Sequence, residues 1–100
     1  MDKNEVINKV KQYRLLLVNH FNIEAIYLFG SYAKDTYNEN SDIDVAIVVN
    51  NITGDFFSVN PMLWKLRREI DDRIEPVLID SNNDRSGFLE EIRRSGIEIL

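Results

Sequence analysis

The sequence predicts an α/β (α+β) fold, a mixed β-sheet packed by helices, and three observations carry that prediction. Apolar residues recur at helical spacing over the first twenty positions. Two short apolar runs, Ala25 to Phe29 and Ile43 to Val49, have the length and β-branched content of buried strands. Two further helical patterns each precede another apolar run. The element order is α-β-α-β-α-β-α with a short closing strand.

Asp2 and Glu5 have capping-box spacing, and Val6, Val10, Tyr13, Leu17 and Phe21 form one helical stripe, so a first helix runs from about 3 to 20 and ends by Asn22. Ala25 to Phe29 is the first strand, closed by Gly30. Residues 31–35 can make one helical turn, and 36–41 form a polar loop. Ile43 to Val49 is the central strand, and Asn50 to Gly54 a turn. Asn60-Pro61 is a helix start, Asn as cap and Pro at the first position, with Leu63, Leu66 and Ile70 as the buried stripe to about Asp72. Ile74 to Ile79 is a third strand. Pro76 lacks a ladder donor and places that strand at an edge or a bulge. Asp84 to Ser95 is a last helix with Phe88, Leu89 and Ile92 inward and Gly96 as its stop. Ile97 to Leu100 adds a short strand.

One hundred residues make one domain, 1–100, with a real core but little surface to enclose two substrates. The net charge of −5 argues against free nucleic acid as a ligand, since phosphate contacts need clustered Lys and Arg. There is no cysteine, which excludes disulfides and thiolate zinc sites and suits a cytoplasmic protein. No apolar run reaches the length of a membrane span, and the N-terminus is unlike a signal peptide.

The chemistry concentrates in Gly30-Ser31, a ten-residue gap, and Asp42-Ile43-Asp44 at the mouth of an apolar strand. Glycine at a strand end permits a tight turn, and Ser31 offers a hydroxyl and an amide where a phosphate could be held. Asp42 and Asp44 are two apart, so a strand points both to one face. At about 5 Å and an effective dielectric of about 20 they repel by roughly 3 kcal/mol. A divalent cation is the simplest offset.

This pattern resembles the signature of the polymerase-β-like nucleotidyltransferases, most closely their minimal members, and the resemblance spans nearly the whole chain. It implies that fold. It implies that Gly30 and Ser31, with Lys34 where the family often has arginine, seat a nucleotide triphosphate. It also implies that Asp42 and Asp44 bind magnesium, two ions in the family, completed by a third carboxylate on a neighbouring strand. Glu75 matches that position, where aspartate is more usual, and Asp80, five residues on, falls on the opposite strand face. The implied activity is transfer of AMP from ATP to a hydroxyl, Asp42, Asp44 and Glu75 being catalytic. Minimal members often resemble antitoxins paired with a small helical HEPN-type partner, some adenylylating a tyrosine on it; a second copy of the chain is the other candidate partner. Two alternatives stand beside this: a non-catalytic antitoxin module of the same fold, and a small-molecule nucleotidyltransferase subunit.

Other residues have plainer readings. Tyr32 is an exposed aromatic or a base-stacking one. Arg67, Arg68 and Arg73 are solvated charges, of which one can reach phosphate. Phe56-Phe57 is a loop tucked onto the core or a partner surface. His20 has no role.

Overall fold

The computed structural model describes residues 1–50, 56–84 and 86–100, with the side chains of residues 56–58 outside that description. Among the described residues the elements are α1 (Lys3–Leu17), β1 (Ala25–Phe29), β2 (Ile43–Val49), α2 (Phe56–Arg67), β3 (Ile74–Asp80), α3 (Phe88–Ser95) and β4 (Ile97–Glu98). The sheet order is β3-β2-β1-β4. β1 runs antiparallel to both of its neighbours, and β2 and β3 are parallel. This is the expected mixed sheet, with β2 inside it and the Pro76-bearing β3 at its rim.

Strand alternation sorts the side chains into two cores. Ile26, Leu28, Ile43, Val45, Ile47 and Ile74 pack on the face covered by Val6, Val10, Tyr13 and Leu17 of α1 and Leu63 and Leu66 of α2. Tyr27, Ala46, Val48 and Ile79 occupy the opposite face under Leu89 and Ile92 of α3. Burying each of the large aliphatic side chains contributes about 1.5–3 kcal/mol before chain entropy is counted. The Tyr13 hydroxyl donates to the Leu63 carbonyl at 2.7 Å, which satisfies a fully buried phenol between α1 and α2. Burial raises its pKa although Arg67 pulls the other way.

Several boundaries differ from the sequence expectation. The Asp2 carboxylate accepts from the Glu5 amide at 2.8 Å and caps α1, but the helix ends at Leu17 and continues only as turns. α2 begins at Phe56, so Pro61 lies inside it rather than at its first position. Pro61 is the sixth residue of α2, past the four N-terminal amides that are free in any helix, so it removes one helical hydrogen bond. α3 starts at Phe88 rather than Asp84, because Gly87 adopts φ +74° and the Asp84 carboxylate instead accepts from the Leu89 amide at 3.0 Å. The expected single helical turn after β1 is present, closed by the Lys34 amide on the Gly30 carbonyl, and does not extend into a helix. The turn expected over 51–54 lies outside the described residues. So does the reading of the Phe56 and Phe57 side chains.

α3 is joined to β4 through Gly96. A Cβ there would stand 2.6 Å from the Ile92 carbonyl oxygen and 3.1 Å from that of Leu28, both backbone atoms that cannot swing away. Gly96→Ala should therefore lower stability by about 2 kcal/mol, the range of a forced backbone shift. Thermal unfolding checks this, and a melting temperature equal to that of the parent would show that β4 can separate from β1 without loss.

Candidate active site

β1 ends at Phe29, and the next residue sets the site. Gly30 adopts φ +74°, a conformation that side-chain-bearing residues enter at a cost. A Cβ on Gly30 would also lie 2.2 Å from Oδ2 and 3.1 Å from Cγ of Asp44. The turn and the acidic strand thus meet only because this position is glycine. The Lys34 amide donates to the Gly30 carbonyl at 3.1 Å and the Thr36 amide to that of Ser31 at 3.0 Å, closing the turn. Asp35 ends it at φ +60°, its carboxylate bonded to Lys3 Nζ at 2.9 Å. Ser31 is half-buried in this turn and the Lys34 side chain is exposed.

Register then gathers the acids. Asp44 is the cross-strand partner of Phe29 on one side and of Glu75 on the other. Ile43 and Val45 point into the α1/α2 core, so Asp44 projects from the α3 face, and the same alternation carries Asp42 there. Glu75, next to buried Ile74, shares that face. Asp80 falls on the other face, as alternation requires, and its carboxylate accepts from the Asn82 amide at 2.9 Å. The entry to β2 is fixed from β3: the Ile43 amide donates to the Arg73 carbonyl at 2.8 Å, and the Arg73 guanidinium donates to the Glu39 carbonyl at 3.2 Å.

Desolvation and like charge both act on these groups. Partial burial, and then the charge of Asp42, raise the pKa of Asp44, which a hydrogen bond from Glu75 partly offsets. Glu75 is raised too, by desolvation first and then by Asp42 and Asp44, with Arg67 opposing. All candidate donors are carboxylate oxygens, hard ligands of the kind magnesium prefers. Among the described residues no group of three acids or histidines has its donor atoms already converged as a cation cage. The donor set fits a hard divalent cation in chemistry and charge, with Asp42 and Glu75 still exposed to solvent.

Four residues take other places than their sequence readings. Tyr32 is fully buried, stacked on Tyr37 at 4.4 Å and 18°, so it is a core residue and neither an exposed aromatic nor a platform for a base. Arg67 is half-buried: its guanidinium donates to the carbonyls of Asp72 and Ile74 and lies 4.7 Å over the Trp64 ring, tethering α2 to β3. Arg73 is likewise a tether rather than a free charge. Phe88, expected inward, is 39% exposed and meets Phe29 edge-on at 5.7 Å. Helical spacing alone does not separate it from Leu89 and Ile92, because it stands at the first position of a helix whose start is set by the loop.

Comparison with known proteins agrees with this fold. The family model for "Polymerase beta, Nucleotidyltransferase" matches residues 8–100. A Methanocaldococcus jannaschii protein, provisionally named a protein adenylyltransferase, is 24% identical over 95% of this chain and 99% of its own. The Shewanella oneidensis protein adenylyltransferase MntA is 29% identical over 93% of this chain, which spans 65% of that protein. Among solved structures, a Sulfolobus solfataricus protein provisionally described as a nucleotidyltransferase superposes with a TM-score of 0.71 at 22% identity, over 96% of this chain and 80% of that one, a likeness of fold. The crystal structure of a toxin-antitoxin with AMP-PNP gives 0.67 at 29% identity, over 93% and 73%.

Proposed function

The chain belongs to the polymerase-beta nucleotidyltransferase family, and on that premise we propose that it is a magnesium-dependent adenylyltransferase acting on a partner protein. Residues 1–100 form one nucleotidyltransferase unit, with ATP as donor and a hydroxyl of a small helical HEPN-type protein as acceptor, in a cytoplasmic toxin-antitoxin pair. The observation that carries this reading is the turn at Gly30, set directly against Asp44, which is itself in register with Glu75. The turn that would seat the phosphates and the acids that would hold the metal are thereby neighbours at one end of one sheet. The relatives named as protein adenylyltransferases, and the toxin-antitoxin structure with AMP-PNP, support the choice of donor and acceptor class.

In this reading Gly30 and Ser31 seat the triphosphate, and Lys34 adds a point charge from the rim of the turn. Asp42, Asp44 and Glu75 would hold magnesium, two ions as in the family, whose charge would stabilise the attacking and leaving oxygens. The acceptor oxygen bonds to the α-phosphorus, the bond from that phosphorus to the bridging oxygen of pyrophosphate breaks, and the hydroxyl proton passes to solvent. Asp42 and Glu75 are exposed at the end of the sheet, and in this reading the acceptor is held against them by a wall from elsewhere. A second chain supplies it, a helical partner or, failing that, another copy.

Co-expression with a helical neighbour should yield a stable complex, and ATP with magnesium should add one AMP mass per transfer to that partner. A domain that adenylylates only a free small molecule would overturn the partner reading. Glu75 separates enzyme from binding module, since it is exposed and longer than aspartate. Glu75→Gln should lower transfer by about a hundredfold and Glu75→Asp should keep much of it, whereas Asp80→Asn, on the other face, should change little. Transfer rates unchanged in Glu75→Gln would show that Glu75 is not the third ligand, whereas a parent chain that transfers nothing would favour the module.

A further inference from the structure

The acids account for phosphate and metal but leave the base of the nucleotide without a partner, and the same sheet face offers one. Phe29 is the cross-strand partner of Asp44 and projects from the α3 face beside it. Same-face neighbours on adjacent strands have Cβ atoms about 5 Å apart. The Phe88 ring stands a further 5.7 Å from that of Phe29, centroid to centroid and near perpendicular at 86°. Phe88 therefore lies on the order of 10 Å from Asp44, one strand spacing plus one ring contact. That is comparable to the reach of a nucleotide from α-phosphate to base.

Phe88 is held at that place. It opens α3, its amide donating to the Ser86 hydroxyl at 3.3 Å, while Leu89 beside it is buried and its amide is bonded to Asp84. The helix is anchored through Leu89 and Ile92, so the ring next to them remains where it is without being enclosed. An aromatic that is rigidly mounted, 39% exposed and adjacent to a phosphate and metal site is suited to a flat, polarizable ligand. An aliphatic patch of equal area would carry no such preference. Tyr32, in the turn itself, is fully buried and cannot take this part.

We infer that Phe88, backed by Phe29, is the stacking platform for the nucleobase of the donor nucleotide. The inference rests on the nucleotidyltransferase reading of the acids and names a residue beyond them. Stacking answers to the π-face of a base rather than to its hydrogen-bonding edge, so the platform favours purines by area without choosing sharply among them.

Calorimetric titration with ATP and with inorganic tripolyphosphate, each with magnesium, tests it on the intact chain, since tripolyphosphate has the phosphates and no base. Phe88→Ala should weaken ATP binding by about tenfold and leave tripolyphosphate binding unchanged. Phe88→Leu, which keeps apolar bulk, should lose most of the same affinity, and Phe88→Tyr should retain it. Circular dichroism and thermal unfolding establish that each variant is folded. The inference is overturned if ATP affinity survives in both Phe88→Ala and Phe88→Leu. It is also overturned if ATP and tripolyphosphate weaken together, or if the parent binds ATP no more tightly than tripolyphosphate. Asp44→Asn separates this from the underlying reading. Its loss of both ligands supports the site whatever Phe88 does, and its retention of both would overturn the site itself.

Discussion

Asp44→Asn is expected to lower nucleotidyl transfer by at least about a hundredfold while leaving the chain folded, and Asp42→Asn to behave alike. Asparagine keeps the shape of the side chain and removes a charge whose acidic neighbours on that face are Asp42 and Glu75. Asp44 and Glu75 both have raised pKa values, from desolvation first and the charge of Asp42 second. The sign follows from this. The folded chain binds those protons more tightly than the unfolded chain, so the ionised acids weaken the fold above their raised pKa values. That penalty disappears as pH falls from there toward the usual carboxylate value. Without magnesium, Asp44→Asn should be neutral or slightly stabilising near pH 7, with a flatter dependence of melting temperature on pH. Transfer assays and thermal unfolding over pH 4 to 8 check both halves. A variant that fails to fold would make Asp44 a structural residue and remove the main support for the proposed chemistry.

Gly30→Ala carries the other large effect, for a different reason. The left-handed φ alone costs about 1 kcal/mol with a Cβ present, or roughly 4–8 °C in melting temperature for a chain of this size. The 2.2 Å approach to Asp44 Oδ2 adds a clash that the carboxylate can relieve by rotating away. Stability should therefore fall modestly while transfer falls at least about a hundredfold, since Asp44 is displaced rather than removed. A substitution that harms function far more than fold is the signature expected where a turn holds a reactive group in place. If transfer instead falls only in proportion to the folded fraction, Gly30 serves the backbone alone.

Much of this arrangement is legible from residue types and spacing. Ala25–Phe29 and Ile43–Val49 read as strands because their apolar runs end at glycine or at acid, and both bounds coincide with those of the structure. Pro76 announces a rim strand because a proline cannot serve a ladder on both sides. The opposite facing of Asp80 and Glu75 follows from alternation. What fails is set by loops. Tyr32 looks exposed on a short turn, yet the 36–41 loop folds back and stacks Tyr37 on it, a contact that local periodicity does not encode. The start of α3 shifts by four residues because Asp84 caps from outside the helix, and that shift leaves Phe88 open to solvent. Arg67 looks like a solvated helix charge because its partners, the carbonyls of Asp72 and Ile74, become neighbours only once α2 turns back into β3.

The placement of β3 also bears on how anything can approach the acids. Among the described residues β3 has no neighbour on its outer side. A bare strand edge invites another extended chain to zip onto it, and in a crowded cell that means self-association. Pro76 stands one residue from Glu75 and offers no amide hydrogen, so a visiting strand could not complete its bonds beside the carboxylates. Lateral capture is discouraged at the one place where it would block the cluster. The remaining route is from above the sheet, across the surface bounded by α3, and a partner that docks there meets the acids head-on with its own fold intact.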